Sequence, residues 1–256
     1  MTDCVLTEER DDVLVITLNR PEARNAVNEA VAEAVAAALD ELDRRADLSV
    51  GIITGAAPSF CAGMDLKAFL AGERPSVPGR GFAGIVERPP DKPMIAAVEG
   101  HAIAGGFEIA LACDLIIASE NATFALPEPR VGLAALAGGL HRLPRQIGLK
   151  RAMGMILTAR HVSAREGVEL GFVNEVVPAG EALAAAERWA ETICKNSPMS
   201  IRASKQTIQK GLGVSLEQAM TEQRDYPAVK AMAASQDFVE GPKAFAEKRP
   251  PKWLGK

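Results

Sequence analysis

The chain has 256 residues, 48% hydrophobic and 24% charged, the balance of a globular protein long enough to bury a substantial core. A formal net charge of −4 provides no broad basic face, which argues against a nucleic-acid or acidic-membrane partner and leaves room only for a local anion site. Four widely spaced cysteines (Cys4, Cys61, Cys113, Cys194) and three histidines suggest neither a disulfide framework nor a zinc site. The acidic start "MTDCVLTEERDD" has no apolar h-region and no apolar run is long enough to span a bilayer, so a cytoplasmic location is expected.

In chain order, "VLTEERDDVLVITLNRP" reads as two strands around an Asp-Asp turn, closed by Pro21. Residues 28 to 48 place Val31, Val35, Leu39 and Leu42 on one helical face, with Asn28 available as N-cap. "VGIITG" is a short buried strand, and the strand–helix–strand alternation favours α/β layers. Residues 71 to 93 concentrate glycine, proline and charge without a period, and read as a mobile flap near a site. "MIAAVEG", "DLIIAS" and "ATFAL" are three further strands. From about residue 180 the pattern becomes helical: "EALAAAERWAETICK", "MSIRASKQTIQKGL" and "SLEQAMTEQRDYPAVKAMAAS".

Several chemistries lack their usual residues: there is no G-x-S-x-G elbow, phosphate-binding P-loop, H-E-x-x-H or G-x-G-x-x-G after a strand. Two glycine-bearing segments after strands remain. In "SFCAGMDLK", Ala62 and Gly63 admit close backbone approach and Asp65 is placed to begin a helix. In "GHAIAGGFEIALACD", Gly105 and Gly106 precede a helix through Phe107, Ile109 and Leu111. Each such turn leaves N–H groups free at the positive end of a helix, and two converging donors would form an oxyanion hole. Taken singly, the glycine pairs serve equally well for tight turns. Glu108, in an otherwise apolar run, needs a partner or a task. Glu128 lies between Pro127 and Pro129; alone it reads as a solvated loop residue. Two carboxylates in a partly desolvated pocket push their pKa values apart, leaving one protonated and one ionised.

The segments "FCAGMDLK", "GHAIAGGFEIALACD", "FALPEPRVGLAALAGGLHRLPR", "GMILTARHVSAREGVELGFVNEVVP" and "EGPKAFAEKRPPKW", in this order, resemble the enoyl-CoA hydratase/isomerase (crotonase) superfamily. The resemblance runs from "LNRPEARNAV" to Trp253. It implies an α/β fold with a crotonase-type ββα spiral core over residues 1–180, and a C-terminal helical trimerisation region over 181–256. It also implies an acyl-CoA substrate, no metal or redox cofactor, and a homotrimer or homohexamer.

By the same resemblance, the backbone N–H groups of Met64 and Gly105 form the oxyanion hole. Glu108 orients and deprotonates the attacking water, and Glu128 delivers a proton to Cα. Ala23, Arg24 and Ala26, with Ala62, Asp65, Leu66 and Lys67, surround the CoA, while Phe245 and Lys248 close over the CoA of a neighbouring subunit. One departure from the hydratase pattern is Ala135-Leu136 ahead of Gly138 and Gly139, where hydratases commonly carry proline and glycine; Leu136 is expected to fill volume near the acyl and water site. The function implied is reversible hydration of a trans-2-enoyl-CoA. Rival readings are a carnitinyl-CoA dehydratase-like or other specialised lyase, an isomerase needing one carboxylate, and a non-catalytic acyl-CoA binder.

Overall fold

The structure, a computed structural model, describes residues 3–256; Met1 and Thr2 of the acidic N-terminus lie outside the described residues. The two leading strands form as expected: β1 (Val5–Arg10) and β2 (Val13–Leu18) pair antiparallel around Asp11, whose φ is 52°. Helix α1 (Glu29–Arg44) begins at Asn28, whose side chain accepts the Val31 N–H at 3.1 Å, and buries Val31, Val35, Leu39 and Leu42. Next come β3 (Val50–Gly55), α2 (Leu66–Leu70), the short hairpin β4 (Ser76–Val77) and β5 (Gly81–Phe82), β6 (Met94–Val98) and β7 (His101–Ile103). Helix α3 (Gly105–Ala112), β8 (Leu115–Ser119) and β9 (Thr123–Ala125) lead to α4 (Gly139–Ile147), α5 (Leu149–Thr158), β10 (Val162–Ser163), α6 (Ala164–Leu170) and β11 (Glu175–Val177). Five helices close the chain: α7 (Ala182–Cys194), α8 (Pro198–Gly211), α9 (Leu216–Glu222), α10 (Pro227–Ala234) and α11 (Asp237–Ala246).

The main sheet has the order β1-β2-β3-β6-β8-β11, and every pairing after the first is parallel. Parallel strands covered on both faces read as unbroken apolar runs, and the period of two then divides them between two cores. Leu14, Ile16, Met94, Ala96, Val98, Ile116 and Ala118 face the larger core with α1 and α3. Their neighbours Val13, Val15, Val50, Ile52, Ile95, Ala97 and Ile117 face Ala182, Ala185, Ala186 and Ala190 of α7. The region after 181 is therefore helical, as expected, and its first helix covers one face of the sheet. A small second sheet, β10-β9-β7, stands beside the larger core. It packs through Phe107, Phe124 and Phe172, whose ring centroids lie 5.2, 5.1 and 5.2 Å apart.

Four sequence expectations change. Residues 71–93 do not form a free flap: Arg80 is buried and ion-paired with Asp40 of α1, and Ala83, Ile85 and Val86 are in the core. The segment "MIAAVEG" does not lead straight into α3, because β7 intervenes. The helix-rich rear of the chain begins at 139 rather than near 180, since the Pro- and Gly-punctuated stretch there hides α4, α5 and α6 from a periodicity count. The stretch from Ser215 to Ser235 breaks into α9 and α10 through a 3-10 turn at Gln223–Asp225, where Pro227 cannot supply a helical N–H and starts the next helix instead. No helix among the described residues is long and apolar enough to cross a membrane.

The aromatic trio supports the strand that delivers Glu128. Phe124→Ala is expected to cost about 3–5 kcal/mol, because it leaves a void between two rings with little freedom to collapse; urea unfolding of the variant against the parent protein measures it.

Candidate active site

Two backbone amides are brought together by glycine. Val27 N–H donates to the Gly63 carbonyl at 2.8 Å and Asp65 N–H to the Val27 carbonyl at 2.9 Å, a parallel bridge that turns the Met64 N–H the other way. Gly63 has φ 93°, and a Cβ there would lie 2.9 Å from the Ala104 Cβ and 3.0 Å from the Gly105 nitrogen. Only a glycine allows this approach. Ala104 itself holds φ 53° and ψ −127°, a conformation costly for any residue with a Cβ. That turn between β7 and α3 makes Gly105 the first residue of the helix, so its N–H has no acceptor within the helix. Among the described residues, neither the Met64 nor the Gly105 N–H donates to a protein acceptor. The ring of Phe82 closes over Gly105, leaving no room for a side chain there: a Cβ would lie 2.5 and 2.6 Å from two of its carbons.

Glu108 lies in the first turn of α3 and is 3% exposed. Its Oε1 accepts the Gly139 N–H at 2.9 Å, so the start of α4 holds one side of the carboxyl. Burial pushes its pKa from 4.5 up to about 7, and the charge of Glu128 pushes in the same direction; the Gly139 and Ala137 amides and the Arg142 guanidinium oppose. Glu128 opens a 3-10 turn (Glu128–Val131) directly after Pro127. Burial raises its pKa too, and its Oε2 is buried without a hydrogen-bond partner. Both carboxyls and both amide residues line one cavity of about 540 Å³, the size of a small-molecule site. A carboxyl with a free oxygen, a second carboxyl that keeps its proton to near neutrality, and two unsatisfied amides are the parts needed to move protons beside a carbonyl that gains negative charge.

The other residues singled out from sequence fall into three places. Ala62, Leu66 and Leu136 line the same cavity. Leu136 does so from the rim, 77% exposed, so its side chain leaves the interior open, while Ala135 is buried beneath. Ala23, Arg24 and Ala26 lie alongside the Met64 segment, since the Ala62 N–H donates to the Arg24 carbonyl at 3.0 Å. Asp65 caps α2 by accepting from Lys67 and Ala68, each at 3.1 Å, and pairs with Arg20 at 3.0 Å; Lys67 is exposed on the first turn of that helix. Phe245, 88% exposed, and Lys248 lie at the end of α11 and do not line the cavity within one chain. Four contributors went unassigned in sequence: Gly139, Ala104, Phe82 and Arg142. Only Gly139 carried a signal, being a glycine at the head of a helical pattern; the others act through chain reversals and contacts over long separations.

Residues 8–256 match the enoyl-CoA hydratase/isomerase family. The chain belongs to this family. Among relatives, a mevalonyl-coenzyme A hydratase of Aspergillus fumigatus is 40% identical over 255 residues, 98% of this chain and 94% of its own. A carnitinyl-CoA dehydratase of Proteus mirabilis is 40% identical over 256 residues, covering 96% of this chain and 97% of its own. The crystal structure of an enoyl-CoA hydratase from Mycobacterium marinum superposes with a TM-score of 0.95 at 50% identity, covering 99% of this chain and 100% of its own. The enoyl-CoA hydratase/isomerase fold anticipated from the five segments is thus present, with the helical C-terminal region attached.

Glu108 costs stability where it is ionised. Its folded pKa of about 7 lies above the unfolded 4.5, so its contribution is intact below pH 4.5 and is lost as pH rises through 7. Glu108→Gln, which keeps an acceptor for Gly139, is therefore expected to be more stable than the parent at pH 8 by up to about 3 kcal/mol and no more stable at pH 4. Thermal melts at the two pH values test this.

Proposed function

We propose that the protein catalyses reversible addition of water across the double bond of a trans-2-enoyl-CoA thioester. The observation that carries the proposal is the meeting of two buried carboxyls, one with an unpartnered oxygen, and two free amides in a single cavity of a family member. The thioester oxygen accepts from the Met64 and Gly105 N–H groups. Glu108 as carboxylate takes a proton from water, the water oxygen bonds to Cβ, and the electrons of the double bond move to the thioester oxygen as an enolate. Glu128 as acid then protonates Cα. Addition leaves Glu108 protonated and Glu128 ionised, and proton exchange resets the pair. In reverse, Glu128 removes the Cα proton and Glu108 protonates the departing hydroxyl.

Dehydration of a 3-hydroxyacyl-CoA with a further substituent is the second reading. Burial raises the pKa of both carboxyls, so the pair can hold a proton near neutrality and serve loss of water as well as addition. The relative named carnitinyl-CoA dehydratase supports this reading, and the one named mevalonyl-coenzyme A hydratase supports a substituted substrate. An isomerase requires one carboxyl, and the second, buried and unpartnered, speaks for water addition or loss instead.

The Ala23–Ala26 segment with Ala62, Asp65, Leu66 and Lys67 is proposed to receive the CoA portion; since Asp65 is occupied as cap and ion-pair partner, its part there is to shape the backbone. We place Phe245 and Lys248 over the CoA of a neighbouring subunit in a homotrimer or homohexamer. The exposure of Phe245 and of Leu149, Met153 and Leu157 along α5 supports burial in an assembly. A mass of three or six times 27.1 kDa by light scattering is the expected result, and a monomer at assay concentration would contradict it. Four free thiols suit a reducing compartment such as the cytosol.

The deciding experiment follows the ultraviolet absorbance of crotonyl-, 3-enoyl- and crotonobetainyl-CoA. Loss of the enoyl absorbance on adding protein is expected, while binding without turnover would leave only an acyl-CoA binder. Glu108→Gln and Glu128→Gln are each expected to lower turnover by roughly 10²- to 10⁴-fold with little change in thioester binding. In the parent protein kcat/KM is expected to fall above about pH 7, as the pair loses its last proton, and again at acid pH, as both carboxyls become protonated. The proposed steps use only carboxyls and amides, so a chelator is expected to leave the rate unchanged.

A further inference from the structure

We propose that Arg142 is a positioning residue that fastens the 81–87 segment to the start of α4 and so holds Phe82 and Glu108 in their working places. The proposal rests on the hydration or dehydration reading of the site and assigns to it a residue that touches no reacting atom.

The guanidinium stands at a junction. Its Nη2 donates to the Val86 carbonyl at 2.5 Å, across 56 residues of sequence. On its other side it presses against Gly138, whose φ of 103° and missing Cβ make room for it: a Cβ would fall 3.3 Å from its Cζ and closer still to Nη1. Arg142 N–H donates to the Gly138 carbonyl at 2.8 Å in the first turn of its helix, and the guanidinium lies back against that same Gly138. The next residue, Gly139, donates to Glu108. One side chain therefore ties together the turn that grips Glu108 and the segment whose Phe82 covers Gly105. Glycine at 138 is needed for φ and for this clearance together.

The charge has a second effect. Glu108 faces Glu128 from the 3-10 turn and Arg142 from α4, and no other cation is among the main influences on it. Arg142 offsets part of the burial penalty and holds the Glu108 proton more loosely than burial alone would. Partly buried itself, Arg142 has no salt-bridge partner among the described residues, so its charge is not cancelled locally by an ion pair. Arg130 and Glu87 also line the cavity, on the exposed side.

Three variants separate position from charge. Arg142→Met removes both the hydrogen bond and the charge, Arg142→Gln keeps a donor without charge, and Arg142→Lys keeps charge without the fork. The first readout needs no turnover: the titration of Glu108 in protein carrying ¹³C-labelled glutamate, identified by its absence in Glu108→Gln. In Arg142→Met and Arg142→Gln the midpoint is expected to move upward by about one pH unit, and in Arg142→Lys to stay near the parent value. Amide hydrogen exchange over residues 81–87 is expected to speed up about tenfold or more in Arg142→Met and less in Arg142→Gln. With the thioester that the parent turns over best, Arg142→Met is expected to show a raised KM, a lower kcat and an alkaline limb displaced upward.

An unchanged Glu108 midpoint in folded Arg142→Met and Arg142→Gln overturns the electrostatic role. Unchanged exchange over 81–87 overturns the fastening role. A purely structural residue would lower the yield of active protein without moving the titration. Should Arg142→Met not fold, Arg142→Gln and Arg142→Lys give the same comparison. Absence of turnover in the parent would strike at the proposed reaction alone, since titration and exchange are read without substrate.

Discussion

The hydrogen bond from the Gly139 N–H to Glu108 Oε1 joins the two halves of the site, and most of the local architecture is arranged around it. A carboxyl buried in the first turn of an apolar helix would ordinarily be expelled or neutralised. Here the start of α4 and the nearby guanidinium reduce that penalty without removing it, so the group keeps a proton to about pH 7. In the proposed reaction this incomplete compensation is what lets the side chain both take up and release a proton. A stronger partner, such as a direct ion pair, would fix it as a permanent carboxylate and deprive it of acid character.

Strain is concentrated in the same few residues. Ala104 holds a left-handed φ before α3, Gly63 and Gly105 approach within contact distance, and Glu128 keeps a buried oxygen with no partner. Each feature costs stability, and together they leave the Met64 and Gly105 N–H groups and one Glu128 oxygen without a protein partner beside the cavity. The cost is borne by the rest of the fold: a parallel sheet covered on both faces, the aromatic trio behind β9, and α7 packed through four alanines. A scaffold rigid enough to hold two free amides and two carboxyls is also rigid enough to resist their tendency to find partners of their own.

The segment 71–93 illustrates how composition misleads. Glycine, proline and charge suggested mobility, yet Arg80 is buried against Asp40, and Val86 and Phe82 roof the cavity. Charge in a loop is a sign of exposure only when its counter-charge is absent, and Asp40 lies forty residues earlier on the outer turn of α1. Leu136 shows how chain direction refines an expectation. It lines the cavity near the two carboxyls, as its position suggested, but the turn from Ala134 to Leu136 sets it on the rim.

The sequence by itself determined the periodic elements and the inventory of chemistry. The apolar runs of β2 and β6, the Asn28 cap, the glycines before α3 and the two glutamates could all be read locally, because each depends on neighbours within a few residues. The resemblance of five ordered segments added the spiral core, which superposition with a solved hydratase bears out. Tertiary structure alone decided that Glu108 and Glu128 share one cavity, that Gly139 holds the former, and that Phe82 and Arg142 belong to the same assembly. These are contacts between residues 20 to 56 positions apart, set by how sheets and helices stack and invisible to any window of local sequence. The pKa of Glu108 depends on the same stacking, since desolvation is a property of the packed surroundings rather than of the residue.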